Sequence, residues 1–80
     1  MASKIVLDNA DIGAEVWSHF NSKVVTVYVR SGSAEILHDG QVIVELLDVT
    51  WRKVVDGLPI GTSVMARALE SGTTLVFCEG

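Results

Sequence analysis

At 80 residues, with ten acidic and six basic side chains and a formal charge of −4, the chain is one small domain. Its basic residues are few and unclustered, which gives no electrostatic footprint for nucleic acid, and no apolar run approaches the ~20 residues of a membrane-spanning helix. Yet 49% of the residues are apolar and the mean hydropathy is +0.41. A domain of this size hides only roughly 60–65% of its unfolded surface, so the excess predicts burial between subunits: a homo-oligomer, a dimer first.

In chain order, residues 4–7 read as a short first strand stopped by Asp8-Asn9. The segment 1–11 has one lysine and a brief apolar patch, without signal-peptide architecture. Gly13 breaks the chain before a second strand over 14–20, and Asn21-Ser22 turns it. Residues 23–40, KVVTVYVRSGSAEILHDG, are the centre of the reading. Val25, Val27 and Val29 alternate with Thr26, Tyr28 and Arg30, a period of two that predicts a half-buried strand. Ser31-Gly32-Ser33 is expected to fold it into a hairpin with 34–38, and Asp39-Gly40 is a strong signal for a second hairpin.

Residues 41–49, QVIVELLDV, are apolar on both faces and predict a strand buried on both sides or covered by a partner. A strand over 50–55 holds Trp51. The stretch 56–61, with the chain's one proline, is a loop. Residues 63–69 and 73–78 are expected to form a last hairpin around Ser71-Gly72. Met65 to Glu70 has helical propensity but spans about two turns, too short to hold itself together, so strand is the reading. On its inner face lie Val64, Ala66 and Ala68, which places Arg67 outside in a surface or interface pair. Seven or eight short strands between Gly- and Asp-containing turns predict an all-β domain, an antiparallel barrel or sandwich.

The spacing of glycines and the proline resembles the cupins, small double-stranded β-helix barrels. Gly13, five residues, His19, a residue, Asn21, then Val25 and Gly32 follow the first cupin motif. Pro59-Ile60-Gly61 followed by Val64 follows the second, without the glycine expected at Lys53. The resemblance covers roughly residues 13–78 and implies a cupin-like fold over the whole domain, 1–80. It implies a metal-free one, because Asn21, Val25 and Val64 stand where the family carries two imidazoles and a carboxylate. Only His19 matches a ligand position, and a catalytic transition metal needs about three. No cofactor, no metal and no catalytic residue is therefore expected.

Trp17, His19 and Asn21 share one strand face by parity, and the mapping sets them at the barrel mouth. An aromatic platform, an imidazole and an amide make a polar grip for a small ligand; the plainer alternative is three solvent-facing residues at a strand end. Trp51 is a further candidate wall, or a core or interface tryptophan. His38 reads as a surface residue before the Asp39-Gly40 turn. Cys78 is the one cysteine, which excludes an internal disulfide, fits a reducing compartment such as the cytoplasm, and reads as a small hydrophobe in the last strand.

Three functions follow. The leading expectation is a metal-free, cupin-like module that binds or senses a small polar ligand through Trp17, His19, Asn21 and Trp51 as a homo-oligomer. The alternative is a structural or interaction protein, for example one that decorates a capsid or inhibits a partner protein. A further alternative is a small enzyme, since length, strand order and Trp51 resemble the small bacterial pyrimidine/purine nucleoside phosphorylases.

Overall fold

The computed structural model describes residues 2–47 and 52–79, and every described element is a β-strand. These are β1 (Ala2–Ala10), β2 (Glu15–Phe20), β3 (Val24–Ser31), β4 (Ala34–His38), β5 (Gln41–Leu46), β6 (Arg52–Asp56), β7 (Thr62–Ala68) and β8 (Thr73–Glu79). They form two four-stranded antiparallel sheets, sheet I in the order β1-β8-β3-β6 and sheet II in the order β2-β7-β4-β5. The sheets do not close on one another, so the molecule is an open sandwich and not a closed barrel. Its Cα extents are 30 × 26 × 16 Å.

Alternation decides which face is which. In β3, Val25, Val27 and Val29 are buried while Thr26, Tyr28 and Arg30 face out. In β7, Val64, Ala66 and Ala68 are buried and Ser63, Met65 and Arg67 face out, as their parity predicts. Leu7, Phe20, Ile36, Val44, Leu46, Leu75 and Phe77 complete a core that both sheets share. Phe20 of sheet II meets Phe77 of sheet I edge-on, ring centroids 5.2 Å apart at 78°. That geometry suits the ring quadrupoles and ties the two layers together.

The central hairpin expected over 23–40 does not form. Strand β3 belongs to sheet I and β4 to sheet II, so Ser31-Gly32-Ser33 carries the chain across the sandwich. The expected last hairpin is also a crossing, from β7 in sheet II to β8 in sheet I. A tight turn signal fixes a change of direction but not the strand that the returning segment pairs with. Here the two crossings are joined to each other. Thr73, fully buried, accepts the Ser33 N–H at 3.3 Å, and its hydroxyl lies 2.7 Å from the Glu70 carbonyl and 3.0 Å from the Ser33 carbonyl. Ser31 Oγ donates to the Gly72 carbonyl at 2.7 Å, and Ser33 Oγ donates to the Glu70 carboxylate.

Asp39-Gly40 does close the β4–β5 hairpin, with both residues at positive φ (52° and 78°) as a primed turn requires. The first strand is longer than expected, extending to Ala10 over two register shifts. Strand β5 is an edge strand with one buried face: Val44 and Leu46 are covered, while Val42 and Leu47 are 44% and 61% exposed. It is thus not buried on both sides within the chain. Val49, Trp51 and the rest of 48–51 lie outside the described residues.

Candidate functional site

Strand β2 is the edge of sheet II and pairs with β7 from Glu15↔Arg67 to Phe20↔Thr62. Its parity sends Ser18 and Phe20 inward and leaves Trp17 and His19 outside. Trp17 is 68% exposed. These two residues therefore share a face, but it is the outer face of the sandwich and not a mouth into its interior. Asn21 follows the end of β2, also exposed, and its backbone N–H donates to Glu79 Oε1 at 2.6 Å, bridging to sheet I. His19 Nδ1 lies 3.0 Å from Ser63 Oγ, its direct cross-strand neighbour. His38 is half-buried before its turn, with Nε2 3.8 Å from Asp39 Oδ2.

The residues mapped onto cupin ligand positions do not converge. His19 points out of sheet II, while Val25 and Val64 are fully buried on the inner faces of sheets I and II. No group of three or more His, Cys, Asp or Glu that could hold a metal occurs among the described residues. The inner faces of both sheets meet in one shared apolar core.

The register of sheet II instead sets Trp17 at the end of a row across all four strands: Trp17 opposite Met65, Met65 opposite Leu37, Leu37 opposite Val42. Leu37 is buried, while Trp17 and Val42 stay exposed. Parallel to it runs a charged row, Glu15–Arg67–Glu35–Glu45. Arg67 bridges Glu15 at 3.1 Å and Glu35 at 2.9 Å. Glu45 stands directly opposite Glu35, a like-charge pairing that disfavours itself. The outer face of sheet II is thus an apolar stripe beside an acidic one. Met65, Leu37 and Val42 were not singled out from the sequence; alternation assigns each a face, but only strand order makes them neighbours of Trp17.

The half-exposed Arg67 bridge has a modest expected worth. Replacing Arg67 with methionine is expected to cost about 1 kcal/mol in urea unfolding at low salt and less at high salt, because screening weakens the wild-type pairs. A cost independent of salt would show that the arginine stem, and not its charge, holds the stripe.

A cleft of about 320 Å³ opens between the edge strands β5 and β6, lined by Ile43, Val44, Lys53, Val54, Val55, Asp56 and Leu58. Lys53 lies opposite the inward Val27, so its stem starts on the inner face of β6. No helix of the described residues is long and apolar enough to cross a membrane. No protein-family model matches the chain, and no curated protein or solved structure matches it significantly.

Proposed function

We propose that the chain is an interaction protein, a rigid sandwich that uses the outer face of sheet II as a contact surface for another protein. The observation that carries this is Trp17, 68% exposed at the end of an apolar row that crosses the whole sheet. Exposed apolar patches rimmed by polar residues mark interaction sites, and tryptophan is among the commonest energetic anchors of such sites. The outward aim of Trp17 and His19 adds to it, since side chains that point away from the core serve a flat contact better than an enclosed ligand. Homo-oligomerisation belongs to this reading, because the apolar excess of the composition needs somewhere to go. A single cysteine supports a reducing compartment, the cytoplasm.

The strand orders 1-8-3-6 and 2-7-4-5 support a finer fold reading as well: a jelly roll, the double-stranded β-helix architecture that cupins share. The second functional reading is the small-ligand module. One observation favours it, the cleft between β5 and β6, where the Lys53 ammonium would meet an anionic group and Ile43, Val55 and Leu58 an apolar one. His19 and Asn21 would then lie apart from the ligand.

Native mass spectrometry of the freshly purified protein separates the two. The interaction reading expects assemblies of bare chains, which Trp17→Glu disperses without changing the circular dichroism of the folded domain. A stoichiometric small molecule that stays on the native chain and leaves on denaturation overturns it and transfers the function to the cleft.

A further inference from the structure

Resting on the interaction reading, we propose that the partner is a second copy of this chain and that copies associate head to tail, the outer face of sheet I of one against the outer face of sheet II of the next. The outer face of sheet I carries a row of its own, Ile5 opposite Val76, Val76 opposite Tyr28 and Tyr28 opposite Arg52, apolar and exposed at Ile5, buried at Val76 and basic at its β6 end. Beside it Val54, 59% exposed, stands opposite Thr26, and Ile5 is 51% exposed.

The charges beside the two rows are complementary. Arg30 lies with its Cζ 5.9 Å from the Tyr28 ring centroid and donates from Nη2 to Tyr28 Oη at 3.5 Å, so it shares the Tyr28 face with Arg52. Neither guanidinium has a carboxylate partner among the described residues. The carboxylates on this side, Asp56 opposite Val24 and the exposed Asp8 of β1, sit towards its margins. The sheet II face sets three carboxylates, Glu15, Glu35 and Glu45, against one guanidinium, Arg67, and Glu45 makes no ion pair among the described residues.

Two sheet II faces brought together would set six carboxylates around two guanidiniums, and two sheet I faces would gather four guanidiniums. The mixed contact sets Arg30 and Arg52, which have no carboxylate partner among the described residues, against Glu35 and Glu45, in the planar fork geometry that guanidinium and carboxylate share. It also covers Trp17 and Val42 with Ile5 and Val54. Four strands ~4.8 Å apart and about six residues at ~3.3 Å make a face of roughly 19 by 20 Å. Two such faces amount to roughly 760 Å² before side-chain relief, the size of a weak, concentration-dependent contact. Because the two patches differ, the contact is heterologous and closes into a ring or extends as a stack.

The test uses two full-length variants with substitutions only at exposed positions: Trp17→Glu for the sheet II face, and the double variant Arg30→Glu, Arg52→Glu for the sheet I face. Circular dichroism and thermal unfolding check that both fold, and sedimentation velocity reads their mass across a wide concentration range. The wild type is expected to form species larger than a dimer as concentration rises. Each variant alone is expected to be monomeric, its association weakened by about tenfold or more. Mixed in equal amounts they are expected to give a one-to-one dimer and nothing larger, since one intact face of each kind remains. Should the sheet I variant assemble like the wild type while Trp17→Glu does not, the contact is a symmetric sheet II dimer; the head-to-tail inference falls and the interaction reading stands. A wild type that is bare and monomeric at every concentration overturns the second copy as partner and the homo-oligomeric part of the interaction reading, whereas a retained small molecule overturns that reading whole.

Discussion

Replacing Phe77 with alanine is expected to cost about 3–5 kcal/mol of folding stability. Phe77 is fully buried on the inner face of sheet I, and its ring is the edge-on partner of Phe20 in sheet II. Removing it deletes a large apolar side chain and leaves a cavity that β8 cannot move to fill, since it is held by ladders to β1 and β3 on both sides. A domain of this length has a total stability of roughly 4–12 kcal/mol, so the loss takes about a quarter of it at the upper end and all of it at the lower end. Denaturant unfolding followed by circular dichroism measures the loss, and Phe77→Leu should recover much of it. A loss under about 1 kcal/mol would mean that the layers are not packed through this ring pair. The consequence reaches the surface as well. The two outer faces are held at a fixed separation by this core, so softening it should weaken assembly together with stability.

The second large effect is expected at Gly32, where the chain crosses from sheet I to sheet II. Its φ is +76°, a conformation that costs an L-residue roughly 1–2 kcal/mol. A Cβ there would also clash with Thr73 Oγ1 and sit 2.9 Å from Thr73 Cα. Thr73 cannot step aside without giving up its bonds to Ser33 and Glu70, which are the seam between the two crossings. Gly32→Ala is therefore expected to cost about 2–5 kcal/mol, strain and overpacking together. Gly40 provides the control: its φ is +78°, but nothing lies within 4 Å of its would-be Cβ. Gly40→Ala should show the strain alone, and the difference between the two variants measures the close approach. Equal costs would show that Thr73 yields freely and that the seam contributes little.

The same glycine marks where the sequence stopped being legible. Ser31-Gly32-Ser33 and Ser71-Gly72 carry the composition of tight turns, and both do reverse the chain. A hairpin and a crossing between layers need the same positive φ and the same small residues. What separates them is whether β3 finds β4 or β8 beside it, a choice made by contacts 40 or more residues apart in the chain. Asp39-Gly40 was readable because its two strands, β4 and β5, are each other's neighbours and nothing distant competes.

The candidate site divides in the same way. That Trp17 and His19 share a face, and that Arg67 lies outside the core, follow from the two-residue period of a strand and hold in the fold. Which way that face looks does not follow from period. An edge strand can turn either parity inward, and here Ser18 and Phe20 took the interior because Phe20 found Phe77 across the gap. The cupin-like spacing of Gly13, Pro59 and Gly61 identified turns without identifying what the strands between them point at, and His19, expected at a barrel mouth, lies on the outer face of sheet II.

By itself, then, the sequence determined an all-β domain, most of its strand positions, the inward and outward sides of β3 and β7, and the β4–β5 hairpin. These depend on local dihedral preferences and on alternation, which neighbours along the chain encode. The tertiary structure alone decided that the strands divide into two open sheets, that Trp17 heads an apolar row with Met65, Leu37 and Val42, and that Arg30 and Arg52 lie on the face opposite Glu35 and Glu45. Those are relations between strands distant in the chain. They arise only when burial of one shared core selects a single pairing among the many that local preference allows.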